Sequence, residues 1–134
     1  MAEGSTLEVA VVSAERLLWQ GEAKSVVAKT SEGEIGILPG HEPVLALLLE
    51  SPLRIEESDG NKMMVAVHGG FFSVDSNKVN VIAEVAELAE DIDLERAQTA
   101  LSRAQAAGDE TEDPSALKRA ETRITVAGTG KGLS

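Results

Sequence analysis

Apolar and polar residues alternate with period two along most of the first 87 positions, and with a helical period beyond residue 93. In "TLEVAVVS", Leu7, Val9 and Val11 fall on one side of an extended chain and Glu8 on the other, the pattern of a half-buried strand. "KSVVAKT", "LRIEES", "KMMVAVHGGFFSV" and "NKVNVIAEV" read as further strands. Asp59-Gly60 in "SDGN" and the "DSN" at 75–77 supply the turns between them. Short strands punctuated at this spacing predict an antiparallel β-sandwich or barrel from about residue 6 to about residue 87, rather than alternating β-α units.

The second pattern begins in "EDIDLERAQTALSRAQAAG". Leu94, Ala97, Leu101 and Ala104 recur at helical spacing and form a narrow stripe. Asp93 suits the N-cap and Gly108 the stop. After the acidic loop "DETEDP", Pro114 or Ser115 opens "SALKRAETRITVA", where Leu117, Ala120, Ile124 and Ala127 repeat the stripe. Two such helices joined by a short polar loop predict an antiparallel hairpin. Neither stripe is a core by itself, so the hairpin is expected to be held modestly and to be able to detach. The domain division is therefore 1–90 for the sandwich and 91–134 for the hairpin with a short flexible tail.

Composition sharpens this picture in three ways. The chain has 134 residues and 43% hydrophobic content, enough for one packed domain with an appendage. Trp19, Phe71 and Phe72 are its only aromatics, so aliphatic side chains must fill the core. There is no cysteine, hence no disulfide framework and no thiolate chemistry. The net charge of −11 opposes nucleic acid, whose phosphates the chain would repel. The charge is uneven: residues 1–90 hold 6 basic and 15 acidic groups, net −9, and residues 91–134 hold 6 and 8, net −2. The start has neither a basic nor an apolar targeting segment, and no apolar run reaches the roughly 18 residues of a membrane span.

The usual chemical motifs fail. His41 and His68 are the only imidazoles, and neither has a His or Cys partner at ligand spacing, so both are expected to be surface or turn residues. No serine stands in Gly-x-Ser-x-Gly. The closing "GTGKGLS" lacks the first glycine and the hydroxyl of a phosphate loop, so it reads as a frayed tail. "EGEIGILPGHEPV" at 32–44 has glycines at 33, 36 and 40 that miss the dinucleotide spacing. It reads as a turn, with Gly36 expected at positive φ. That reading leaves Ile35, Ile37 and Leu38 to be either packed inward or offered to a partner.

"EGEIGILPGHEPVLALL", "VHGGFFSVDSNKVNVIAEVAE" and "IDLERAQTAL" occur in this order, and over about Leu7 to Ala127 the sequence closely resembles the epsilon subunits of bacterial F-type ATP synthases. The resemblance implies an N-terminal β-sandwich, a C-terminal two-helix hairpin and a non-catalytic rotor part. It implies a sandwich bound to the gamma subunit, with its lower end on the ring of c subunits. The 32–44 stretch is then the loop facing those partners. Glu34 and His41 stand at its motif positions beside Gly36, with Ile37 and Leu38 helping to form the sandwich end. The complex would hold the chain at the cytoplasmic face of a bacterial plasma membrane, associated with lipid only through its partners.

The resemblance implies no required cofactor, but some bacterial members bind ATP on the folded hairpin as a regulatory ligand. Ile92, Asp93, Arg96 and Ala97 match their motif. Arg103 follows seven residues later, and Arg119 and Arg123 sit one turn apart on the second helix. Four guanidiniums converging on a triphosphate suit its chemistry, although six acids between Glu84 and Glu95 oppose an anion. Inhibitory members extend a longer final helix into the catalytic alpha/beta hexamer. About 13 residues, roughly 20 Å at 1.5 Å each, is short for that role. The competing reading is a free-standing ligand-binding sandwich, which needs a concave apolar pocket with convergent polar groups.

Overall fold

The computed structural model describes residues 5–110 and 112–132. Met1–Gly4, Thr111 and the end of the expected tail, Leu133 and Ser134, lie outside the described residues. The strands are β1 Leu7–Val12, β2 Leu17–Thr30, β3 Gly33–Ile37, β4 Val44–Leu47, β5 Ser51–Glu57, β6 Lys62–Asp75 and β7 Lys78–Leu88. A 3₁₀ turn at Ala89–Asp91 leads into helix α1, Leu94–Ala107, and a second turn into α2, Ala116–Gly132.

Strand order is β1-β7-β6-β5-β2-β3, with β4 added on β6, and β1 also pairs with β2. The sandwich is closed in this way by long strands that serve both sheets. Lys62–Val67 of β6 pair with β5, and Phe71–Val74 pair with β4. Leu17–Ala23 of β2 pair with β1, while Val26–Thr30 pair with β3. Such strands must bend where they change sheets, and both do. A bulge interrupts β2 between Ala23 and Ser25. In β6 the bend falls at Gly69 and Gly70, with φ of 80° and 116°. At Gly70 any Cβ would lie 2.2 Å from the Ile82 carbonyl oxygen, so only glycine fits. Every named strand pair is antiparallel except β1 with β7, which is parallel.

The core is the aliphatic one the composition demands. Leu7, Val9 and Val11 are buried and Glu8 exposed, as the alternation required. They meet Val26, Ile37, Leu53, Ile55, Val65, Val67, Val79 and Val81 around one aromatic ring, Phe72. The "DSN" turn closes β6 onto β7 with Ser76 and Asn77 both at positive φ, the geometry of a two-residue hairpin.

Three local expectations change. The 32–44 stretch is not all turn, because residues 33–37 form β3 against β2, from Thr30↔Gly33 to Val26↔Ile37. Gly33 and Gly40 do take positive φ, but Gly36 is an extended strand residue and does not. Residues 128–132 of the expected frayed tail are helical and not separate from α2. α2 continues to Gly132, giving 17 residues and roughly 26 Å of helix. Burial of Val126 and Ala127 supports the turn from which it continues. Leu117, assigned to the seam, is 38% exposed.

α2 lies on β5 and β6, and α1 packs chiefly on α2. The apolar contact under the hairpin is small: Ala66, Ile92, Val126 and Ala127, edged by Met64, Ala89 and Leu94. Asp93 caps α1 by accepting the Arg96 backbone N–H at 3.1 Å. Gly108 ends it at φ 52°.

Candidate functional site

The residues singled out at 32–44 lie on β3 and in the loop that follows it, but behave differently. Ile37 is fully buried and anchors the segment to the core. It therefore offers no surface, whereas Leu38 is 61% exposed. Glu34 on β3 is exposed and accepts a hydrogen bond from Arg54 of β5 at 2.8 Å. His41 follows in the loop, its Nδ1–H donating to the Glu42 carbonyl at 2.7 Å. The loop is tied to the β6–β7 turn by the Gly40 N–H, which donates to Asn77 Oδ1 at 2.7 Å.

A larger surface, absent from the sequence reading, covers the outer face of β4, β6, β7, β1 and β2. Leu47 pairs with Phe71, Phe71 with Ile82, Ile82 with Val12, and Val12 with Leu17. Leu17, Leu47, Phe71 and Ile82 are all among the exposed large hydrophobics, and Leu45, two residues from Leu47, is 74% exposed. Toward the 38–43 loop the same face ends in a charged row, Asp75↔Lys78↔Glu8↔Glu22. The face thus grades from apolar to charged. One signal for it was legible: Phe71 and Phe72 are neighbours in a strand, so one of them must point outward.

The hairpin's arginines do not converge in this conformation. Arg96 and Arg103 border a shallow depression whose walls are α1 residues alone, and neither side chain has an ion pair among the described residues. Arg119 donates instead to Asp113 and to Ser115 Oγ. The Asp113 carboxyl is held below its usual range, first by the Arg119 hydrogen bond. Arg123 Nε donates to Glu87 Oε1 at 2.7 Å, tying α2 to β7. Asp93 is committed to its cap, Ala97 is buried in the seam, and Ile92 packs under the hairpin.

His68 is neither a surface nor a turn residue. Its side chain is 4% exposed, between two carboxylates: Nδ1 lies 2.6 Å from Glu50 Oε2 and Nε2 lies 2.8 Å from Glu87 Oε1. The Glu87 carboxyl is pushed below its ordinary 4.5, first by the His68 hydrogen bond, with burial opposing and Arg123 assisting. These groups are 18, 19 and 36 residues apart in pairs, so no local motif announces them. No buried polar side-chain atom lacks a partner among the described residues, and none of their acidic, His or Cys groups forms a metal cluster.

A groove of about 730 Å³ is lined by Glu34, Gly36, Val27, Arg54, Met63 and Trp19 among others. It has one aromatic wall and several charged side chains, not the enclosed apolar pocket that a free-standing ligand-binding module needs.

Residues 6–89 match the family model described as ATP synthase, Delta/Epsilon chain, beta-sandwich domain. The chain is 48% identical over 118 residues to the ATP synthase epsilon chain of Streptomyces avermitilis, covering 88% of this chain and 92% of that one. With the ATP synthase epsilon chain of Thermobifida fusca it shares 49% identity over 132 residues, 95% and 96% of the two chains. In fold it is similar to a chain of the Euglena gracilis mitochondrial ATP synthase structure comprising OSCP, F1 and c-ring. There the TM-score is 0.71 at 24% identity, over 99% of this chain and 86% of that one.

Proposed function

The chain belongs to the ATP synthase epsilon chain family, and from that premise we propose that its sandwich joins the gamma subunit to the ring of c subunits in the central stalk. It is a non-catalytic subunit of the synthase complex. The complex is membrane-associated, and no helix among the described residues is long and apolar enough to cross a membrane. We place the chain on the cytoplasmic face, held there by its partners.

The observation that carries the docking reading is the row Leu47, Phe71, Ile82, Val12 and Leu17. An apolar band spanning five strands on the outside of a sheet is costly to leave in water and marks a protein interface. We assign gamma to this row. The c-ring falls to the adjoining end, where Leu38, His41 and the charged row are exposed. Glu34 meets the ring by exchanging Arg54 for a basic side chain of the partner, and Gly36 keeps the neighbouring strand surface free of side chains. The hairpin is the regulatory part, in reach of the alpha/beta hexamer when it leaves the sandwich. In its ATP-bound form, Arg96 and Arg103 take the phosphates, and Arg119 and Arg123 exchange Asp113 and Glu87 for them.

Pull-down of gamma by the full chain tests the first assignment. Phe71→Asp with Ile82→Asp abolishes capture while the thermal melt stays cooperative; capture at the wild-type level refutes the assigned face. In reconstituted complexes, Glu34→Ala and His41→Ala leave assembly and ATP hydrolysis intact and weaken proton movement per ATP. Unchanged coupling removes both residues from the ring interface.

A further inference from the structure

We propose that His68, with Glu50 and Glu87 on either side of it, is a proton-dependent latch that holds the helical hairpin on the sandwich. A neutral imidazole has one N–H, and an ionised carboxylate only accepts. Both ring nitrogens lie within 2.8 Å of a carboxylate oxygen. Hydrogen bonds to both partners therefore require the doubly protonated ring. With that ring, Glu50, His68, Glu87 and Arg123 sum to zero charge. With a neutral ring, a nitrogen lone pair faces a carboxylate and the group is left net negative.

The latch reaches the hairpin through Glu87. The oxygen that accepts from His68, Oε1, also accepts from Arg123 of α2. The ring thus positions the carboxylate that grips the helix. Beside it, the apolar contact beneath α2 is built among the described residues from two alanines, one valine and one isoleucine with partly buried edges.

The other charges around the ring come from every packed element. Arg119 of α2 acts on Glu50 from a distance and is itself bound to Asp113. Glu84 of β7 stands over Gly69. Arg54 of β5 is engaged by Glu34. Glu90 and Asp91 of the 3₁₀ turn are exposed and make no bond to the ring. Imidazole is the side chain whose charge ordinarily changes near neutral pH, and here the ring stands between two carboxylates. The docked hairpin therefore binds a proton that the released hairpin gives up. Docking weakens as pH rises past loss of the ring proton, and it weakens again in acid when Glu87 is protonated.

Hydrogen exchange on the full chain reads the opening of α2 even when the open form is rare. The strand amides of β1 and β7 serve as an internal reference. After correction for intrinsic exchange, α2 protection falls by up to about tenfold per pH unit over part of the range from about pH 5.5 to 8.5, the limit for one linked proton. β1 and β7 show no such slope. His68→Gln removes the slope, and Arg123→Gln, on the partly exposed helix side, lowers α2 protection and flattens its slope while the sandwich melts normally. A purely structural role for His68 would lower protection equally at every pH. Flat α2 protection in the wild type, or a wild-type slope in either variant, overturns the proposal.

Discussion

Gly70→Ala is expected to be the most damaging single-methyl change in the sandwich. The perturbation has two parts. At φ 116° an L-residue occupies a region open essentially to glycine, at a cost on the order of 1–3 kcal/mol. The new Cβ would also stand 2.2 Å from the Ile82 carbonyl oxygen and 2.7 Å from the Ala83 Cα, where ordinary carbon contacts lie near about 3.5 Å. Both neighbours are backbone of β7, so no side chain can swing aside. The two strands must part, next to the fully buried Phe72 and Val81, and such overpacking costs a further 1–3 kcal/mol or so. The sum, about 2–6 kcal/mol, is a large part of the roughly 5–15 kcal/mol that a domain has. At about 3–5 °C per kcal/mol for a chain of this size, the melting temperature falls by about 6–30 °C. Calorimetric or circular-dichroism melts measure this directly. Gly69→Ala provides an internal scale, because there the Cβ meets only the Glu84 carboxylate tip at 2.9 Å, which can move. A Gly70→Ala melt within about 2 °C of wild type, or a smaller loss than for Gly69→Ala, would refute the bend argument, since a shift that small is under about 1 kcal/mol.

Gly36→Val, by contrast, leaves stability within about 1 kcal/mol of wild type, since the position is extended, has nothing within 4 Å of a Cβ and sits where β-branched residues are favoured; equilibrium unfolding checks this. Glu87 has a folded pKa below its ordinary 4.5, so its contribution is fully present above that value and is lost as pH falls through the folded one. The stability advantage of wild type over Glu87→Gln therefore shrinks as pH falls below about 4.5 in acid-dependent melts. Calorimetry with millimolar-range ATP, with and without Mg²⁺, gives a heat that Arg96→Ala and Arg103→Ala abolish; no heat from the wild type reduces these arginines to a solvated face.

The alternation of Leu7, Val9 and Val11 with Glu8, the Asp59-Gly60 and Ser76-Asn77 turns and the Asp93 cap all depend on neighbours within a few positions. Side-chain direction and turn conformation at that range are local physics, so the sequence by itself determined a β unit followed by a helical hairpin and placed the turns between them. The ordered motifs, read together, also determined the family. Pairing across the chain was not available at that range. Whether residues 33–37 extend or turn depends on β2 lying alongside, which is why Gly36 was misread as a turn residue while Gly33 and Gly40 were not. Which of Phe71 and Phe72 faces out depends on the bend at Gly70 and on which sheet encloses the core. His68 gained these partners only when Glu50 of the β4–β5 loop, Glu87 of β7 and, through Glu87, Arg123 of α2 were brought together. The four arginines matched a spacing, yet in this fold nearby carboxylates claimed two of them, because an exposed guanidinium pairs with the acid that tertiary structure sets beside it.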